Sequence, residues 1–452
     1  MTTNKLAAAT LMAAVLVAAA PKFALGQESK PTIRHHRVEE TVPDDGLSPE
    51  VEQAETALQH DDFATAETLL QKAATAKPSD YRAWLDLGYV YNATDRPADA
   101  IVAYRKSVAL KPEVFEANLD LGILLLQNGN HAEAAKYLKT ATQLKPGAHP
   151  DEALARAWQW LGLAEQDTNP AQALAAFAEA AKLNAKDPQS HLLAGRLQEK
   201  ENNLDAAVRE LQAATGLDPK AVEAWTELAN LYARQKKYPE AETALHKALT
   251  ADPQNSSAHV QFGRVLADEG KNEEAIEELQ KGLQSKAGDP EAALELGTLY
   301  VQAGRNTEAE QQFRLAVQKM PKDAEAHFAL GSLLMHVRQY PESQQELLIA
   351  VQLKPDLAAA YGNLAVVAAE NKNYQLTLKA LDYRAKFLPE GPATYFLRAT
   401  TFDNLKAVPQ AVDYYQRFLA ADAGKLPDQE WQARHRLMAL DPRHADKYSV
   451  KK

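Results

Sequence analysis

Five acidic residues share one phase of a 34-residue spacing. Glu52, Asp86 and Asp120 stand 34 apart, and Glu227 and Glu295, separated by twice that interval, resume the column after a shift of five residues. Carboxylates repeated on one face attract cations, so the chemistry they suggest is capture of basic side chains rather than bond breaking. Apolar residues accompany them at Leu85, Tyr89, Leu119, Ile123, Trp160 and Leu163. A second column, three residues further on, changes character along the chain: Tyr89, Ile123 and Leu163 give way to Arg196, Asn230, Arg264, Thr298 and Ser332.

Other chemistry is hard to place. The chain has no G-x-S-x-G, no H-E-x-x-H, no phosphate-binding glycine loop and no dinucleotide fingerprint. Absence of cysteine excludes disulfides, thiolate metal sites and a cysteine nucleophile. The 12 histidines are scattered, mostly at surface phases, and the adjacent His35-His36 lacks a nearby third ligand. We therefore expect no catalytic residue, no metal and no cofactor. A net charge of −11, with 50 Lys+Arg against 61 Asp+Glu, argues against a nucleic-acid partner, which needs a concentrated basic face.

The elements that must carry these columns follow from the prolines. Pro78, Pro112 and Pro146 are 34 apart, as are Pro219 and Pro253, and Pro321, Pro355 and Pro389; Ala185, Ala287 and Ala423 fill the missing beats. Only the step from Pro146 to Ala185 is longer, at 39 residues. Within a unit, apolar residues recur at helical spacing in two short blocks. In the second unit Trp84, Leu87, Gly88 and Tyr91 lie on one helical face, and Ala100, Tyr104 and Leu110 on another, with Asp95-Arg96-Pro97 between and Lys111-Pro112 as the stop. Each unit reads as a helical hairpin. Residues 47–425 hold about eleven of them.

This pattern, W-x2-L-G-x2-Y, then A-x3-F, then Pro at a period of 34, resembles the tetratricopeptide repeat over about five-sixths of the chain. The resemblance implies an all-α, right-handed superhelical solenoid whose first helices line a concave groove, with both acidic and apolar columns facing into it. Relatives that clamp a C-terminal carboxylate need Lys, Asn and Arg over successive units, and the columns here offer no such clamp. Unit four carries an insertion near residues 147–153: six residues are added before its first helix and one is lost from its turn. It either changes the superhelical pitch locally or loops out harmlessly, and Trp158-Gln159-Trp160 is expected to expose aromatic area beside it. Residues 426–452 read as a capping helix, with Trp431, Leu437, Met438 and Leu440 inward and Gln432, Arg434 and Arg436 in water, followed by a frayed basic tail after Pro442.

The N-terminus reads as an address. Lys5, the apolar run Leu6 to Ala20 and small residues at Ala24 and Gly26 make a secretory signal, too short at about 22 Å to span the roughly 30 Å hydrocarbon core. We expect cleavage after Gly26, a flexible linker at 27–46, and no stable membrane insertion afterwards. The expected product is a periplasmic or secreted scaffold, with no enzymatic activity, that holds protein or peptide segments with basic residues. Envelope assembly, secretion and polysaccharide export are the settings it suits. A glycan-binding or accessory subunit of an envelope glycosyltransferase system is the alternative, favoured by Trp158 and Trp160.

Overall fold

The structure, a computed structural model, describes residues 48–285, 289–422 and 424–448. The expected signal (1–26) and linker (27–46), with His35-His36, lie outside these residues. Among the described residues every regular element is helical, and no helix is long and apolar enough to cross a membrane. They fall into two compact units, 48–253 and 254–448.

The first unit runs through α1 (Pro49–Gln59), α2 (Phe63–Ala76), α3 (Tyr81–Ala93), α4 (Pro97–Leu110), α5 (Phe115–Gln127), α6 (His131–Ala141), α7 (Pro150–Glu165), α8 (Pro170–Leu183), α9 (Gln189–Lys200), α10 (Leu204–Leu217), α11 (Val222–Arg234) and α12 (Tyr238–Ala251). The second continues with α13 (Ser256–Glu269), α14 (Asn272–Ser285), α15 (Pro290–Gln302), α16 (Asn306–Lys319), α17 (Ala324–His336), α18 (Tyr340–Leu353), α19 (Ala358–Glu370), α20 (Tyr374–Arg384), α21 (Pro392–Asn404), α22 (Val408–Asp422), α23 (Pro427–Leu440) and α24 (Ala445–Tyr448). Odd- and even-numbered helices up to α22 pair as hairpins, as the two apolar blocks require.

Two devices recur among the hairpins. The first is a left-handed residue after the odd helix. It falls at Asp61, Asp95, Gly129, Asn202 and Lys236 in the first unit, and at Gly270, Gly304, Arg338, Lys372 and Lys406 in the second. The backbone N–H two positions beyond the cap then reaches back to an orphan carbonyl, as Arg96 does to Tyr91 O at 2.8 Å and Gln339 to Leu334 O at 2.8 Å. The second device is glycine in the odd helix. A methyl group on Gly88 would sit 2.5 Å from Cδ1 of Tyr104, so the ring of α4 rests directly on the α3 backbone. Leu138, Phe177 and Leu211 occupy the equivalent seat in later hairpins of that unit.

The proline ruler also acquires a partner. Trp84 Nε1 donates to Pro78 O at 3.0 Å, Asn118 Nδ2 to Pro112 O at 2.8 Å and Trp225 Nε1 to Pro219 O at 3.0 Å. A side chain six residues after each of these three prolines thus ties the helix start to the turn before it. Three histidines fill the same position. His191 contacts Glu210 at 2.8 Å and His327 contacts Glu346 at 2.6 Å through Nδ1, and His259 and His327 are buried, so these are not surface histidines.

The structure corrects four expectations about these elements. In unit four the added residues do not precede the first helix; they lengthen it, since α7 starts eight residues before Trp158 whereas α3 starts three before Trp84. Left-handed His149 and Pro150 open that longer helix, and the α7–α8 turn lacks the left-handed residue found in the other hairpins. In α23, Ala433 and Leu437 are buried, whereas Trp431 is 59% exposed; its ring lies tilted by 38° against that of His435, with centroids 3.9 Å apart, instead of facing the last hairpin. Arg436 is not simply in water, because it grips both oxygens of Asp403 at 2.7 Å. Beyond Pro442 the chain stays ordered through Tyr448, whose buried ring brings its hydroxyl to donate to Asp441 Oδ2 at 2.9 Å and to accept from Gln416 at 2.8 Å.

Candidate functional site

The odd helices place both columns on one face, where α3 to α5 and α5 to α7 follow one another in the first unit. Residues one turn apart on a helix lie on the same side, so a column-two residue of one hairpin meets the column-one residue of the next, 31 positions later. Arg196 of α9 uses this offset to donate through Nε and Nη2 to Glu227 Oε1 of α11, at 2.8 and 2.7 Å, and it also pairs with Glu223. In the second unit Arg264 of α13 grips both oxygens of Glu295 of α15 at 2.9 and 2.8 Å. Asn363 reaches Ser332 over the same offset at 2.9 Å. Glu227 and Glu295, expected as open groove acids, are therefore half-buried partners of structural arginines. Burial still raises the Glu227 pKa despite Arg196, and its Oε2 is buried without a partner among the described residues.

Asp86 and Asp120 differ. Asp86 on α3 is 8% exposed and Asp120 on α5 is half-buried, yet neither takes a side-chain hydrogen bond or an ion pair among the described residues. Burial, followed by the nearby charges of Glu55 and Asp80, pushes the Asp86 carboxyl up to about 7, against a weaker lowering pull from Arg82. Burial also pushes Asp120 up to about 7; Arg156 of α7 draws it down and Glu116 adds to the rise. The 31-residue offset brings Tyr89, not arginine, towards Asp120, and burial with the charges of Asp61 and Asp120 raises the Tyr89 pKa. Tyr89 also faces Phe63, with ring centroids 6.3 Å apart.

A fourth group joins them that the sequence did not single out as functional. Tyr104 is fully buried and its hydroxyl has no hydrogen-bond partner among the described residues. Burial and then the charges of Asp120 and Asp86 hold that hydroxyl well above its usual pKa. The signal available in the sequence was small: a tyrosine where Leu138, Phe177 and Leu211 stand elsewhere.

The apolar candidates are mostly floor. Leu119 and Ile123 are 6% exposed, and half-buried Leu85 and Trp160 pack on the same core cluster. Leu163 is half-buried beside Phe177 and Leu193. Trp158 also packs on the first cluster, so neither tryptophan offers the exposed aromatic platform expected beside the insertion. Among the described residues no group of three or more His, Asp or Glu side chains is arranged to hold a metal ion.

With this geometry in view, the tetratricopeptide repeat family models match residues 51–113, 93–149 and 192–256, and a second model of the same repeat matches 266–334, together just over half of the chain. The chain belongs to the tetratricopeptide repeat family. Comparison with curated proteins found no match. Among solved structures it is similar to YrrB, described as a TPR protein with an unusual peptide-binding site, at 26% identity over 41% of this chain and 95% of that one, with a TM-score of 0.36. It is also similar to PilF of Pseudomonas aeruginosa, at 21% identity over 47% and 97% with a TM-score of 0.40. Yeast Tom70 matches at 15% identity over 88% and 98%, with a TM-score of 0.34.

Proposed function

We propose that this chain is an exported interaction scaffold that holds protein or peptide segments with basic residues against the odd-helix face of residues 81–163, in envelope assembly, secretion or polysaccharide export. The observation that carries this reading is the face itself: an apolar floor of Leu85, Leu119, Ile123 and Trp160 bearing two acids that the fold leaves unneutralised. Burying an aliphatic segment on such a floor supplies non-directional affinity of about 25 cal/mol per Å², and the acids select charge. Export is supported by the basic start, short apolar run and small residues of the first 26 positions.

Two experiments test it. Fractionation of cells expressing the full chain, with N-terminal sequencing of the recovered protein, should give an envelope or external product starting at Gln27; an intact chain in the cytosol would overturn export. Selection of displayed random peptides on the mature chain should enrich segments that lose at least tenfold in affinity to the Asp86→Lys, Asp120→Lys double variant. Enrichment that survives the double variant places peptide binding elsewhere and sinks the groove reading.

A further inference from the structure

The even helices of the second unit carry side chains that the odd-helix face does not use. The gap between α14 and α16, with α15 as its floor, is an open cleft of about 540 Å³, and the gap between α16 and α18 over α17 is another of the same size. Leu296 of α15 and Leu330 of α17, both buried, lie at the bottom, with half-buried Leu283 and Leu315 beside them. Leu315 and Gln318 of α16 line both clefts, which therefore adjoin across one helix. Gln284, Gln311 and Gln318 line them and are exposed, so both open to solvent.

Most of the polar groups in the clefts already have partners. Arg314 donates to Glu310 at 2.9 Å and pairs with Glu342 at 2.8 Å, Glu346 holds His327 at 2.6 Å, and Gln280 donates to the Tyr300 hydroxyl at 2.6 Å. Gln284, Gln311, Gln312 and Gln318 differ, because none of them makes a side-chain hydrogen bond among the described residues. The repeat does not need these amides. The register of Gln312 holds Ala103 and Ala244 in other hairpins, that of Gln318 holds Ala109 and Thr250, and that of Gln284 holds Gly216. Hairpins form with small residues in all three places, so packing does not account for the glutamines.

We propose that the two adjoining clefts form a docking site for an extended, uncharged segment of a partner protein, held through its backbone by Gln284, Gln311, Gln312 and Gln318, with aliphatic side chains on the leucines. Each free amide offers two N–H donors and a carbonyl acceptor, the groups that a peptide backbone presents in complement, and main-chain hydrogen bonds with apolar pockets between them are how extended segments are bound. A sugar would stack on an open ring, and Tyr300, the ring lining the clefts, is 3% exposed. Basic segments are disfavoured, since Lys319 at the first cleft has no ion pair among the described residues and no carboxylate there is left uncommitted. The site thus differs in kind from the face of residues 81–163, which selects basic residues, and it does not rest on that reading.

The test displays random peptides free of Asp, Glu, Lys and Arg and selects them on the full-length chain. Selected peptides should lose about tenfold in affinity to the Gln312→Ala, Gln318→Ala variant and nothing to Asp86→Asn, Asp120→Asn. Alanine already serves the register of Gln312 and of Gln318 in other hairpins, so the first variant should melt as the parent does. Methylating single backbone nitrogens of a selected peptide should cost about tenfold at some positions, whereas changing its polar side chains to Ala should cost little. Absence of enrichment, affinity that survives the glutamine variant, or indifference to backbone methylation overturns the site and leaves the odd-helix reading standing, because that face is tested with basic peptides. Binding of maltoheptaose that the same variant abolishes would assign the clefts to a sugar, and self-association in sedimentation that it abolishes would assign them to a second copy; either overturns the proposal.

Discussion

Asp120 and Glu227 occupy one phase of the repeat, two acids on the odd-helix face of one compact unit, yet their surroundings are opposite. Under Glu227 the preceding hairpin supplies Arg196; towards Asp120 it supplies Tyr89. The second unit repeats the first solution at Arg264 and Glu295. An acid on a solenoid face thus has two meanings. Where a base sits 31 residues earlier the acid ties successive hairpins together, and where an apolar or aromatic residue sits there it is left for something else. Charge counting down a column cannot separate these cases, since both contribute the same formal charge.

The largest effect should come from breaking a matched pair. Arg196→Met leaves Glu227 half-buried without its base and should lower stability by about 2–4 kcal/mol, whereas Arg264→Met, at a more exposed pair, should lose about 0.5–1 kcal/mol. Urea unfolding of both variants reads the difference, and equal losses would erase the distinction between buried and exposed ties.

On the unmatched side the sign reverses. The Asp86 and Asp120 carboxyls titrate at about 7 in the folded chain against an ordinary value of 3.8, so between about pH 4 and 7 the folded state binds more protons than the unfolded one. Stability therefore falls as pH rises through that window and stays lower above it. Asp86→Asn should remove this penalty, stabilising the chain by about 2 kcal/mol at pH 8, roughly half of what the full shift would give because the buried amide is itself left without a partner, and hardly at all at pH 4. Thermal melts at the two pH values check it; destabilisation at pH 8 would mean that the carboxylate has a partner.

Smaller again is Tyr104→Phe, which deletes a buried unpartnered hydroxyl and should stabilise the unliganded chain by about 1 kcal/mol, read from the shift in urea midpoint. Loss of stability would show that the hydroxyl has a partner within the fold. The smallest change concerns the common framework of both regions. Arg338 holds a left-handed turn at φ 65° where Gly270 and Gly304 serve other hairpins, so Arg338→Gly should gain about 0.5 kcal/mol after the extra chain entropy of glycine is subtracted.

Much of this architecture could be read from local residues. The 34-residue proline rhythm, the helical spacing of Trp84, Leu87, Gly88 and Tyr91, and the breaks at Asp95-Arg96-Pro97 each act within a few residues, so they determined helices, hairpins and family. The two-column face followed from the same periodicity. Misreadings began where a single helix allows two orientations. The period of α23 is compatible with Trp431 facing either way, and only the seats taken by Ala433 and Leu437 decide it. Likewise the residues added in unit four, Gly147-Ala148-His149-Pro150-Asp151-Glu152, mix poor helix formers with a proline that also suits a first helical turn, so they do not say by themselves whether they loop out or extend α7.

What tertiary structure alone decided is which charges are spent. The 31-residue offset linking Arg196 to Glu227 is visible in the numbering, but it has meaning only once successive odd helices lie side by side and bring one turn of each into contact. Burial of Asp86, the empty hydroxyl of Tyr104 and the docking of Tyr448 likewise depend on neighbours far along the chain. Desolvation and ion pairing are properties of the space around a side chain, and that space exists only after the hairpins have stacked.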